Sequence, residues 1–134
     1  MQQVVVPVRY PLSERSRATL EEAIGIAEER EAVLTVLHVN LYQDNGRVTR
    51  RQLREAVERA FGTIPNARYV VRRGLLVEET ILEEVAAGDA DVVVVGKRQA
   101  SRWRRMMRRL TDDPDIEGYL KNELDAEVVT ASSD

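Results

Sequence analysis

The chain has 134 residues, enough for one hydrophobic core and too few for two, so a single domain over 1–134 is expected. With no cysteine and one histidine, disulfides, thiolate chemistry and a multi-histidine metal site are excluded. A net charge of −3 argues against general affinity for nucleic acid, and no apolar run approaches the roughly 20 residues of a membrane span, so a cytoplasmic protein with no membrane insertion is expected.

Val4-Val5-Val6-Pro7-Val8 reads as a first strand; Pro7 has no amide to give a ladder and belongs near the strand's end. Ser13 is placed to cap a helix in which Leu20, Ala23, Ile24 and Ala27 recur at i, i+3, i+4 and i+7, with Glu21, Glu22, Glu28, Glu29 and Arg30 toward water. Val33 to Val39 is a second strand. Asp44-Asn45-Gly46 signals a turn. Thr49 and Gln52 then form a capping box for a helix whose apolar face is Leu53, Ala56, Val57, Ala60 and Phe61. Gly62 and Pro65 end it. Ala67 to Arg72 is a more polar strand, which suits a sheet edge, and Gly74 turns the chain. Val77, Ile81, Leu82 and Val85 make a third helical stripe that stops near Gly88. The acidic pairs Glu21-Glu22, Glu78-Glu79 and Glu83-Glu84 are expected on solvated helix faces.

Val92-Val93-Val94-Val95 is too short and too uniformly apolar for a half-exposed strand. It reads as a central strand covered on both faces. Gly96 lets the chain leave the sheet sharply. In the arginine-rich run Ser101 to Leu110, Trp103, Met106, Met107 and Leu110 share the inner side, with Arg102, Arg105 and Arg109 outward. Trp103 is therefore expected in the core and not as a stacking platform for bases. Asp113 and Pro114 restart a helix carrying Ile116, Tyr119, Leu120 and Leu124. Ala126 to Thr130 is a last strand, followed by a frayed tail.

Strict alternation of strand and helix implies an open, doubly wound α/β domain with a parallel sheet and helices on both faces. Ligands bind such sheets at the carboxyl edge, where helix N-termini attract anions. Gly96, Lys97, Arg98, Ser101 and Arg102 stand at that corner, and one reading is an anion site for a phosphate, sulfate or carboxylate. The other reading is a solvated helix face whose charges are offset by acids such as Glu78, Glu79, Asp112 or Asp113. His38, with no acid or nucleophile spaced as a relay partner, is read as structural.

The chain resembles the universal stress protein family over nearly its whole length. The resemblance is carried by Val4-Val5-Val6-Pro7-Val8, Leu37-His38-Val39, Arg73-Gly74, Ala90-Asp91-Val92-Val93-Val94-Val95-Gly96, Tyr119 and Val128-Val129, in the family's order and at compatible spacing. It implies a five-stranded sheet of order 3-2-1-4-5, adenine nucleotide alpha hydrolase-like, and a stress-response or regulatory role. It also implies a site bordered by Pro7, Arg9 and Val39, and a homodimer joined through Val128, Val129 and Thr130. The family's nucleotide-binding branch has a glycine after the fourth strand, a second three residues on, and later a glycine followed by serine or threonine. Here Gly96 supplies the first, Gln99 stands at the second, and Met107-Arg108-Arg109-Leu110 replaces the later pair. Arg9 replaces the acid that ends the first strand, and Thr111 to Asp115 is an insertion. The expected function is therefore a non-catalytic domain with no cofactor, which does not hold ATP in the family manner. Two alternatives stay open. One is an adenine-nucleotide switch, with slow ATP hydrolysis at most, that uses arginines. The other is an adaptor that meets nucleic acid or an acidic partner through the Arg102–Arg109 face.

Overall fold

The computed structural model describes residues 2–44, 47–110 (106–110 as backbone) and 126–131. Asn45 and Gly46 of the expected turn, the inner side chains Met106, Met107 and Leu110, the insertion, the restarted helix with Tyr119, and the tail beyond Ala131 lie outside the described residues. The elements are β1 (Gln3–Pro7), α1 (Glu14–Glu29), β2 (Val33–Leu41), α2 (Arg50–Phe61), β3 (Ala67–Gly74), α3 (Val77–Ala87), β4 (Val92–Val95), α4 (Lys97–Leu110) and β5 (Glu127–Thr130). They form one parallel five-stranded sheet of order β3-β2-β1-β4-β5. No helix among the described residues is long and apolar enough to cross a membrane.

Successive side chains of a strand point to opposite faces, and the valine strand shows this cleanly. Val92 and Val94 join Val4, Val6, Leu34 and Val36 under α1 and α2, where Leu20, Ala23, Leu53 and Val57 meet them. Val93 and Val95 join Val5 and Leu37 under α3 and α4, with Ile81, Val85, Ala100 and Trp103. All four β4 valines are fully buried. Pro7 ends β1, opposite Leu37, where its missing amide costs no interior ladder bond.

Caps set the helix starts. Ser13 accepts from the Ser16 amide at 3.1 Å. Thr49 and Gln52 exchange both bonds of the capping box, at 3.1 and 2.9 Å. Gly62 closes α2 with φ 76°, a left-handed conformation that favours glycine. Strands β2 and β3 each run two residues past their expected ends because they continue to pair, as far as Leu41 against Gly74.

Two sequence expectations need correction. Glu84 does not lie on a solvated face: it is 6% exposed and accepts from Arg72 Nε of β3 at 2.9 Å. A carboxylate this buried needs a paired cation, and the edge strand supplies it. Gly74 serves close packing more than turning: a Cβ there would stand 2.0 Å from Thr80 Oγ1, which itself donates to the Leu76 carbonyl. Gly74→Ala must push α3 off the end of β3. A loss of about 1–3 kcal/mol in urea unfolding is expected, partly restored by adding Thr80→Ala.

Trp103 is fully buried and donates from Nε1 to the Glu78 carbonyl at 3.2 Å, which ties α4 to the first turn of α3. Trp103→Ala is expected to cost about 3–5 kcal/mol in the same measurement. The wild-type emission should be blue-shifted and poorly quenched by acrylamide.

Candidate functional site

β1 and β4 are neighbours in the sheet, yet β1 feeds α1 on one face and β4 feeds α4 on the other. The chain ends diverge at this point, and a crevice opens at the carboxyl edge, as it does at the switch point of other open α/β sheets. The cleft here measures about 1140 Å³. Its floor includes Pro7 and Val39, and one wall is the start of α4, with Gly96, Arg98, Gln99 and Arg102. Arg9 and Ser16 belong to the facing wall.

Local hydrogen bonds hold this geometry. The Ser16 hydroxyl accepts the Arg9 amide at 3.0 Å, which fixes the backbone where β1 gives way to α1. His38 Nδ1 donates to the Val8 carbonyl at 3.1 Å, and the ring meets Tyr10 edge-on with centroids 6.3 Å apart. The structural reading of His38 agrees with this arrangement. Asn40 is 8% exposed and grips Val48 at both backbone groups, its Nδ2 donating to the carbonyl at 2.9 Å and its Oδ1 accepting the amide at 3.2 Å. The two bonds bring the return of the β2–α2 loop, with Arg47, to the cleft.

The cleft is electropositive. Five arginines line it (Arg9, Arg15, Arg47, Arg98 and Arg102) against two acids, Glu14 and Asp44. Arg9, Arg47, Arg98 and Arg102 form no ion pair with another described residue. The first turn of α4 has no acid, while the Gly96 carbonyl accepts the Ala100 amide at 3.0 Å to start the helix. The leading amides of α4 and the guanidinium groups of Arg98 and Arg102 thus share one corner, an arrangement that stabilises an anion. Gln99 adds a donor, its buried Nε2 having no partner among the described residues. No group of three or more His, Asp or Glu able to hold a metal occurs among the described residues.

Of the residues singled out in the sequence, Pro7, Arg9, Val39, Gly96, Arg98 and Arg102 come together in the cleft. Lys97 and Ser101 do not: with Arg98, Arg102 and Arg105 they line a shallower hollow of about 360 Å³. Val128, Val129 and Thr130 lie on β5 at the sheet's edge. Sequence reasoning missed Ser16 and Asn40. Ser16, three residues after the cap, resembled any exposed helix position. Asn40 had one signal, an amide side chain at the end of an apolar strand just before a loop.

The sequence model of the universal stress protein family matches residues 1–111. Among solved structures, the chain is similar to a universal stress protein in complex with cAMP, at 19% identity and a TM-score of 0.66, covering 99% of this chain and 98% of that one. It is similar to the universal stress protein UspA from Lactobacillus plantarum (19% identity, 97% of each chain, TM-score 0.59). It is also similar to a universal stress protein from Archaeoglobus fulgidus in complex with dAMP (19% identity, 97% of each chain, TM-score 0.58). No curated protein matches it. The family match over most of the chain, on the parallel sheet of order β3-β2-β1-β4-β5, shows that this chain belongs to the universal stress protein family.

Proposed function

We propose that the protein is a non-catalytic regulatory domain whose cleft holds a small phosphorylated ligand of the nucleoside monophosphate class, by arginines instead of a glycine cradle. The observation that carries this reading is the set of arginines, Arg9, Arg98 and Arg102, around the first turn of α4 with no ion pair among the described residues. Two structural neighbours are complexes with cAMP and dAMP, each with a single phosphate. A triphosphate needs backbone amides within reach of several oxygens, and Gln99 fills space where a glycine would leave the approach open. His38 donates from Nδ1 to the Val8 carbonyl, a bond that fixes its tautomer and ties β2 to the end of β1.

Calorimetry with AMP, ATP and sulfate, at low and high salt, tests this reading. AMP and sulfate should bind and weaken as salt rises, with ATP held no more tightly than its charge accounts for. Arg98→Ala and Arg102→Ala should each weaken AMP by roughly tenfold or more, the value of a charge-assisted hydrogen bond. A low-micromolar ATP dissociation constant that persists in high salt would overturn the choice of ligand class.

We also infer a homodimer through β5. Among the described residues Glu127–Thr130 pairs with β4 on one side only, and Val128, Val129 and Thr130 are half-buried along an edge whose outer backbone groups invite a second strand. Pairing about a two-fold axis would cover that edge with an identical one. Val128→Lys is expected to shift the light-scattering mass from dimer to monomer. A wild-type monomer at tens of micromolar would count against the inference.

A further inference from the structure

We propose that the outer face of α4 docks an acidic, extended segment of a partner protein, and that this segment competes with the cleft's ligand for Arg98 and Arg102. Helix α4 carries seven of the chain's 20 Lys and Arg residues and none of its 23 acids, which leaves 13 cations against those 23 acids elsewhere. The molecule is therefore a strongly basic helix on an acidic body. Cations at a helix N-terminus oppose the macrodipole, and Lys97, Arg98, Arg102 and Arg105 form no ion pair with another described residue. Lys97, Arg98, Ser101, Arg102 and Arg105 enclose the hollow of about 360 Å³, a concave strip with four positive groups and a hydroxyl donor.

The character of the strip selects the partner. None of its described lining residues has an apolar side chain to enter a bilayer. Trp103, the aromatic residue of α4, is fully buried and offers bases no stacking surface. A long nucleic acid would also bring its phosphates against the acidic body, whereas a short carboxylate-rich segment covers the helix alone. Carboxylates match guanidinium groups in geometry as well as charge. Arg98 and Arg102 line both the cleft and the hollow. One guanidinium cannot fully satisfy two anions, so ligand and partner should each weaken the other by the same factor. This competition rests on the proposed reading of the cleft; the docking itself does not.

The test is fluorescence anisotropy of the full chain with a short fluorescein-labelled peptide of alternating glutamate and serine, at physiological salt. The peptide should bind. Arg105→Glu and Ser101→Glu, both at exposed positions, should each weaken it by about tenfold, since like charges then face each other. Circular dichroism should be unchanged in both. Arg105→Glu should leave AMP affinity within twofold, whereas Arg98→Ala should weaken peptide and AMP together. Saturating AMP should raise the peptide's dissociation constant several-fold. Peptide binding that ignores Arg105→Glu and Ser101→Glu overturns the docking face, as does tighter binding of an oligothymidine than of the peptide. AMP that binds without moving the peptide overturns the competition. If AMP does not bind while the peptide still responds to Arg105→Glu, the cleft reading fails and the docking face stands.

Discussion

The structure depends on a strand with no face for water. Val92 to Val95 are fully buried, so each side of β4 must be roofed by helices. That demand sets α1 and α2 on one side and α3 and α4 on the other, with two separate apolar clusters divided by the sheet. It also decides which edge of the sheet is left free for a site. Both sheet faces are spent on packing, and the amino edge is crossed by sequence-distant ties. The Gln3 amide donates to Asp91 Oδ2 at 2.8 Å, and Arg30 pairs with Glu127 at 3.1 Å. The carboxyl edge, where β1 and β4 send their chains to opposite faces, remains open for a ligand.

Charge at that edge runs against local helix energetics. A helix prefers acids in its first turn, yet α4 opens with Lys97 and Arg98. Exposed cations there cost roughly 0.3–1 kcal/mol each, and none is offset by a described acid. Trp103 and Ala100, buried among Ile81, Val85 and Val95, supply the packing that holds the helix in place regardless. An anion bound at the proposed site would remove an unfavourable field as well as gain hydrogen bonds, and so would stabilise the helix.

The fold was legible in the sequence because its signals are local and mutually consistent. Apolar residues at helical spacing, the Ser13 cap, the Thr49–Gln52 capping box and the uninterrupted valines each stand in the chain as written. The polar character of Ala67 to Arg72 marked an edge strand correctly, as the order β3-β2-β1-β4-β5 shows. What stayed hidden depends on partners brought by the fold. Glu84 looks like its neighbour Glu83 until Arg72 is seen beside it. Nothing in the chain says that Thr80 will press on Gly74. The division of the basic corner had a signal that was not used. Lys97, Ser101 and Arg105 form one i, i+4 row on α4, and Arg98 and Arg102 form the next row round, so helical phase separates the outer face from the cleft-facing residues.

The sheet order has a consequence for how the chain is made. β1 emerges first and can pair with β2 soon after, but its other neighbour, β4, arrives 88 positions later, as Val4 against Val92 records. Throughout that interval of synthesis Val4, Val5 and Val6 present an unpaired, β-branched edge. Such an edge is a template for mispairing between nascent chains on one messenger. Helix α1, which packs on β1 through Leu20 and Ala23, is available early to cover one face of that strand but cannot cover its edge. The interval between translating Pro7 and Val95 is therefore the longest that any strand of the described sheet waits for a neighbour.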